Sequence, residues 1–239
     1  MTAHNLKLMF NAADEIDRRE GMQAYARYNK VMNEIASRYT MPLEWVVSAF
    51  VALSPNNSYE GNLKSLIALL VGLRNHVPIE HISTAAYGHC KLRAWNYLHG
   101  YPFLEHSKGP KIRNFYYNIL YPCDNRYVTI DGHIAATWHG TRGTMKQSII
   151  KSPREYREIA MAMKALAFRQ FMLPNQYQAI VWFARKRVLN IVYNPQHDML
   201  FPQDDVWRIG LNIDDLERYV INKGWVKNDN IGKPTKASG

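Results

Sequence analysis

Apolar and polar positions repeat along this chain at helical spacing almost throughout, and the pattern predicts a protein built of helices. Residues 4 to 38 carry buried stripes at Phe10, Ala13 and Ile16, then at Tyr25, Tyr28, Val31, Met32 and Ile35, with Gly21 read as the break between two helices. Leu43 to Leu53 is nearly all apolar, which predicts a helix buried on most sides and ended by Ser54-Pro55-Asn56-Asn57-Ser58. Leu63 to Leu73 repeats that character, Pro78 opens a shorter helix, and Lys91 to Leu98 makes another. Gly100-Tyr-Pro102 breaks the pattern, and Phe103 to His106 predicts a single helical turn.

The stretch around which the chain is organised is 107 to 133. Gly109 reads as a turn and Pro110 as the first residue of a helix, where its missing N–H costs nothing. Ile112, Phe115, Tyr116, Ile119 and Leu120 then form one helical face, with Tyr116 and Tyr117 read as core and rim. A polar link at Pro122, Asp124 and Asn125 leads to Val-Thr-Ile-Asp131, where a further helix begins and runs to Gly140. Pro153 opens a long amphipathic helix through Phe171. Pro174 opens another, with Tyr177, Ile180, Val181, Phe183 and Ala184 inward and Arg185-Lys186-Arg187 closing its exposed end. Asp214 to Asn222 predicts a last helix, and Asn228 to Gly239 a frayed tail. Only Tyr127 to Ile130 alternates as a strand would, and it is too short to found a sheet. The fold class is all-α.

Charge sharpens this picture. Thirty Lys plus Arg against 20 Asp plus Glu give 239 residues a net charge of +10, which predicts attraction to polyanions. Two cysteines, Cys90 and Cys123, are too few for a four-cysteine zinc or iron–sulfur site, so no metal and no cofactor are expected. A disulfide between them is conceivable, but buried free thiols suit a reducing compartment better. The first residues lack a signal-peptide pattern, and the most apolar run, Leu66 to Leu73, is too short for a bilayer. A cytoplasmic protein with no membrane contact and no obligatory protein partner is the expectation.

Gly109-Pro110-Lys111-Ile112-Arg113-Asn114 and Ile130-Asp131-Gly132-His133-Ile134 together resemble the helix-hairpin-helix (HhH-GPD, endonuclease III-like) DNA glycosylases. Those carry Gly-x-Gly-x-Lys, then Ala-Asn and an apolar helix, then Val-Asp-x-His. Upstream, Leu53-Ser54-Pro55-Asn56-Asn57-Ser58 resembles the family's Leu-Ser-x-Gln-x-Thr loop, and Ala179 to Val188 the helix leading to its iron–sulfur region. The likeness covers roughly residues 43 to 190.

The resemblance implies a two-lobed helical fold without the cluster: 1–44 plus 129–195 in one lobe, the hairpin in 45–128, and 196–239 as an extension. It implies double-stranded DNA as partner, with Ser107, Lys108, Gly109, Arg113, Asn56, Asn57 and His133 at the DNA. Lys111 is the implied nucleophile at the sugar C1′, and Asp131 the group that steadies positive charge as the base departs. Read singly, Lys111 is a surface lysine and Asp131 a helix N-cap. Lys108, Arg113 and Arg126 read equally as phosphate contacts or solvated charges.

Ser107 replaces the hairpin's first glycine, and Phe50 and Val51 stand where adenine-excising relatives carry a glutamate. The expected activity is therefore that of a DNA glycosylase, with possible lyase chemistry, acting on a modified or damaged base that leaves the stack. A second reading on the same fold is amino-group transfer onto an activated 5-hydroxymethyluracil, as proposed for phage thymine-hypermodifying pyrophosphorylases. A third is a hairpin protein that binds DNA without catalysis.

Overall fold

The computed structural model describes residues 2–55, 57–107, 109–141, 150–189 and 212–227. All its regular elements are helical: α1 (Thr2–Asn11), α2 (Glu15–Arg38), α3 (Leu43–Leu53), α4 (Tyr59–Arg74), a 3-10 turn (Ile79–His81), α5 (Gly88–Leu98), α6 (Phe103–His106), α7 (Pro110–Leu120), α8 (Gly132–His139), α9 (Pro153–Arg169), α10 (Pro174–Val188) and α11 (Ile213–Asn222). The one β contact among the described residues is an isolated bridge between Ile82 and Val226. No helix among them is long and apolar enough to cross a membrane.

The chain divides into two compact units, 1–32 with 104–193, and 33–103 with 194–239. In the first, α1, α8, α9 and α10 pack on one another around Leu6, Phe10, Ile130, Ile134, Tyr156, Ile159, Tyr177 and Ile180. Phe10 and Tyr177 stack with ring centroids 4.3 Å apart. In the second, α3 lies between α4 and α5, and α11 packs on α4. α3 is buried continuously from Val46 to Leu53, a run apolar except for Ser48, whose hydroxyl donates to the Glu44 carbonyl. Lys64 and Glu60 form a buried ion pair on α4, and the Lys64 Nζ sits 4.0 Å from the Tyr219 ring of α11.

These boundaries differ from the expected ones. The hairpin helix α7 belongs with 1–32, because the Phe115 ring meets Tyr25 and Tyr28 of α2 and Asn29 donates to the Ile119 and Leu120 carbonyls. The described part of the C-terminal segment belongs to the second unit, where Leu216, Val220 and Val226 are buried.

Gly21 is not a helix break. It lies inside α2, and the interruption falls at residues 12–14. A Cβ at Gly21 would come within 2.5 Å of the Ile180 backbone, so the glycine lets α2 and α10 approach closely. With the register moved, Ile16 is 58% exposed rather than buried. Nor is Gly109 a turn residue requiring unusual backbone, since its φ is −73°. Cys123 is exposed and only Cys90 is buried, both as free thiols. Asn56 and Lys108, and the tail from 228, lie outside the described residues.

Candidate active site in the first unit

Helix α7 begins without a side-chain cap. Gly109 is its N-cap, Pro110 its first residue, and no atom stands within 4 Å of where a Gly109 Cβ would be. Arg113 holds the preceding turn: Nε donates to the Ser107 carbonyl at 2.7 Å and Nη2 to the Leu104 carbonyl. That guanidinium braces the hairpin, with two donors committed to backbone rather than held out for a phosphate. Asn114 donates to the Pro110 carbonyl and, at 2.9 Å, to the Tyr156 hydroxyl.

Tyr156 links the two motifs. Its buried hydroxyl accepts from Asn114 and from the Ile130 amide at 3.2 Å, and donates to the Val128 carbonyl at 3.1 Å. Burial raises its pKa to about 12, against the lowering effect of these donors. The extended segment before Asp131 is thus held to α7 and α9 by one side chain. A second polar group runs beneath it. Tyr25 donates to Gln178 at 2.8 Å and also bonds with Thr129 and Asn118, and its burial pushes the phenol well above its ordinary value.

Asp131 is the N-cap of α8, and one carboxylate oxygen accepts from the Ile134 amide at 2.9 Å. The other accepts from the Trp182 indole N–H at 3.0 Å. Both oxygens are therefore held by neutral donors, which fixes the carboxylate's orientation. The N-cap role and the functional role proposed from sequence fall on the same group.

His133, the second residue of α8, senses the charges around it. Burial lowers its pKa, Asp131 opposes that, and Lys186, Arg185 and Lys111 lower it further. Lys111, Asp131 and His133 thus share one electrostatic neighbourhood, assembled from the starts of α7 and α8 and the last turns of α10. Trp182 stands edge-on to His133 at 5.9 Å, with the Lys186 Nζ 4.0 Å from its own ring.

Arg185 is only 3% exposed, not part of an exposed cationic end as its sequence neighbours suggest. Its Nη2 donates to the Thr141 carbonyl at 3.0 Å, and its Nε finds no partner among the described residues. Burial pulls its pKa below the ordinary arginine range, and Asp131 partly restores it.

Sequence reasoning placed Lys111, Asp131 and His133 together but missed Tyr156, Trp182, Arg185 and Lys186. For Arg185 a signal was present. It continues the inward stripe of Tyr177, Val181 and Ala184, and a cation on an apolar face needs a reason. Asn57 lies in the second unit, where its amide donates to the Leu53 carbonyl at 3.3 Å and to Asn62 Oδ1 at 3.0 Å. It locks the loop that joins α3 to α4. Arg126 is bound to Asp124 by Nε at 2.9 Å and Nη2 at 2.6 Å. His139 faces Glu155, with Nε2 3.0 Å from the carboxylate. No group of three His, Cys, Asp or Glu among the described residues could hold a metal ion.

A model of a family of unknown function, DUF7178, matches residues 1–188, and the chain belongs to that family. No curated protein and no solved structure matches it.

Proposed function

We propose that this member of the family is a DNA base-acting enzyme of helix-hairpin-helix glycosylase type, with its chemistry at Lys111 and Asp131 in the first unit. One observation carries the reading. Lys111 and Asp131, twenty positions apart in sequence and each at the start of a helix, both act on His133 through their charge. The uncapped start of α7, with open space at Gly109, supports a DNA phosphate approaching its amides.

The chemistry follows from the groups. As the glycosidic bond breaks, the base leaves with the bonding electrons and positive charge grows on the sugar. Asp131, held by Trp182 and the Ile134 amide, offers a preorganised counter-charge that need not reorient during the reaction. Lys111, in its neutral form, attacks C1′ as the base departs, forming the bond to the sugar as the glycosidic bond breaks. His133, its pKa lowered chiefly by burial, stays uncharged at neutral pH beside these groups.

The experiment uses duplexes carrying modified pyrimidines, with borohydride present. The expected result is a covalent protein–DNA adduct for the wild type and none for Lys111→Ala. Equal trapping by the two would remove Lys111 as nucleophile. Product mass then separates the reactions: a free base means excision, and an added amine on an intact nucleotide means transfer. Binding without either product would leave a non-catalytic hairpin protein. DNA affinity that stays flat as salt rises from 50 to 200 mM would end the DNA reading altogether, because phosphate contacts release counterions.

A further inference from the structure

The turn between α9 and α10 takes no part in the chemistry above, yet it carries the most exposed aromatic surface among the described residues. Phe168 is 81% exposed and Phe171 is 99% exposed. Together with Met172, Leu173 and Gln176 they line an open groove of about 370 Å³.

The backbone makes the exposure more telling. Phe171 has a φ of +55°, in the left-handed region. Its amide bonds the Phe168 carbonyl and the Met172 amide bonds the Ala167 carbonyl, which closes α9 in the manner that glycine usually serves. The chain therefore keeps a bulky ring in water, on strained backbone, where glycine would cap the helix with less strain. Nothing in the fold is buried by that choice.

Charge indicates what the ring meets. From residue 159 to 188 the chain has no aspartate or glutamate; Lys164 and Arg169 stand on the last turns of α9 beside the ring, while Arg185 is buried and Arg187 is paired with Asp14 and Asp17. A second copy, itself at +10, is electrostatically a poor occupant. Duplex DNA matches both features, with an anionic backbone outside and apolar base faces within.

We infer that Phe171 is a wedge that enters a base step of duplex DNA held by the first unit, with Phe168 beside it. The inference rests on the reading of this unit as DNA-binding. From Pro174 to Trp182, α10 rises about 12 Å, roughly three to four base steps of one duplex. Apolar side chains inserted between steps unstack and kink DNA in other proteins.

The test uses the full chain with a duplex scanned by 2-aminopurine and end-labelled for bending by energy transfer. The wild type is expected to brighten 2-aminopurine at one step and shorten the end-to-end distance. Phe171→Gly is expected to lose both signals and bind about tenfold more weakly, as the loss of a stacked aromatic does. Because glycine relieves the strain, the same variant should melt about 2 °C higher than the wild type, so misfolding cannot explain the loss. Phe168→Ala should give a smaller loss.

If the wild type binds with a steep salt dependence and Phe171→Gly matches it in affinity, brightness and bend, the wedge is wrong and the DNA reading stands. If the wild type binds no duplex, both fall. A Phe171-dependent dimer in sedimentation, or Phe171-dependent capture by phosphatidylserine vesicles without a DNA signal, would also overturn the wedge.

Discussion

Two carboxylates, Asp131 in the first unit and Glu217 in the second, stand among cations and are held in opposite ways. Glu217 is gripped directly. Tyr39 donates to it at 2.7 Å, Arg74 reaches it by two nitrogens at 3.3 and 3.1 Å, and Arg38 lies at 3.5 Å. Burial alone would raise its pKa, and these bonds outweigh burial, so it lies below the ordinary value. The result fastens α11 to the ends of α2 and α4. Asp131 takes both its bonds from neutral N–H donors, while Lys111, Arg185 and Lys186 register at His133 through charge. A cation hydrogen-bonded to a carboxylate is committed to stability. A carboxylate oriented by neutral donors keeps its charge for something that arrives later.

The largest test of this contrast is Asp131→Asn. Asparagine caps a helix as well as aspartate does, but its single acceptor oxygen leaves the Trp182 N–H without a partner, so the melting temperature should fall by only about 2–4 °C. Base-directed activity should fall about a hundredfold, roughly 2.7 kcal/mol of lost transition-state stabilisation, read by single-turnover rates. A variant that melts early but reacts normally would reverse the assignment of roles.

Tyr156→Phe probes the frame beneath the site. It removes a buried hydroxyl and leaves Asn114, the Ile130 amide and the Val128 carbonyl each short of a partner, at a cost of about 2 kcal/mol in chemical denaturation. Activity should fall with it, since the segment entering Asp131 loses its tie to α7.

Glu217→Gln should cost stability, about 1.5 kcal/mol, without touching base chemistry. Its acid behaviour is also distinctive. A carboxyl whose folded pKa lies below the unfolded value of about 4.3 contributes stability above that value and loses it as pH falls through the folded pKa. The wild type should therefore lose melting temperature below about pH 4 more steeply than Glu217→Gln.

The smallest effect belongs to His133. Its folded pKa lies below the unfolded value of about 6.5, so between the two the unfolded chain binds more protons and stability rises with pH. Melting temperature should drop slightly from pH 7.5 to 5.5, and His133→Gln should flatten that slope.

Much of the fold was legible along the chain. Helix α3 lies where the apolar run from Leu43 to Leu53 put it, α6 is the single turn from Phe103 to His106, and Pro110, Pro153 and Pro174 each open a helix. These positions follow from local chemistry, the 3.6-residue period and proline's tolerance at a first turn. Gly21 was misread because a glycine that permits close packing and one that breaks a helix look alike in sequence. Only the 2.5 Å approach of Ile180 separates them. For Arg113, Asn57 and Arg126 the sequence named the polar groups but not their partners within the protein, because a side chain's donors go to whichever acceptors tertiary structure brings near.

By itself the sequence determined an all-helical chain, a strong positive charge, and Lys111 and Asp131 at the starts of two helices. Tertiary structure alone decided that α7 joins the first unit, that Trp182 holds Asp131 and that Arg185 turns inward. It also decided that Phe171 is left in water. Local period and composition set where helices begin, because those energies act between near neighbours. Which donor meets which carboxylate depends on residues as far apart as Asp131 and Trp182, and only packing makes them neighbours.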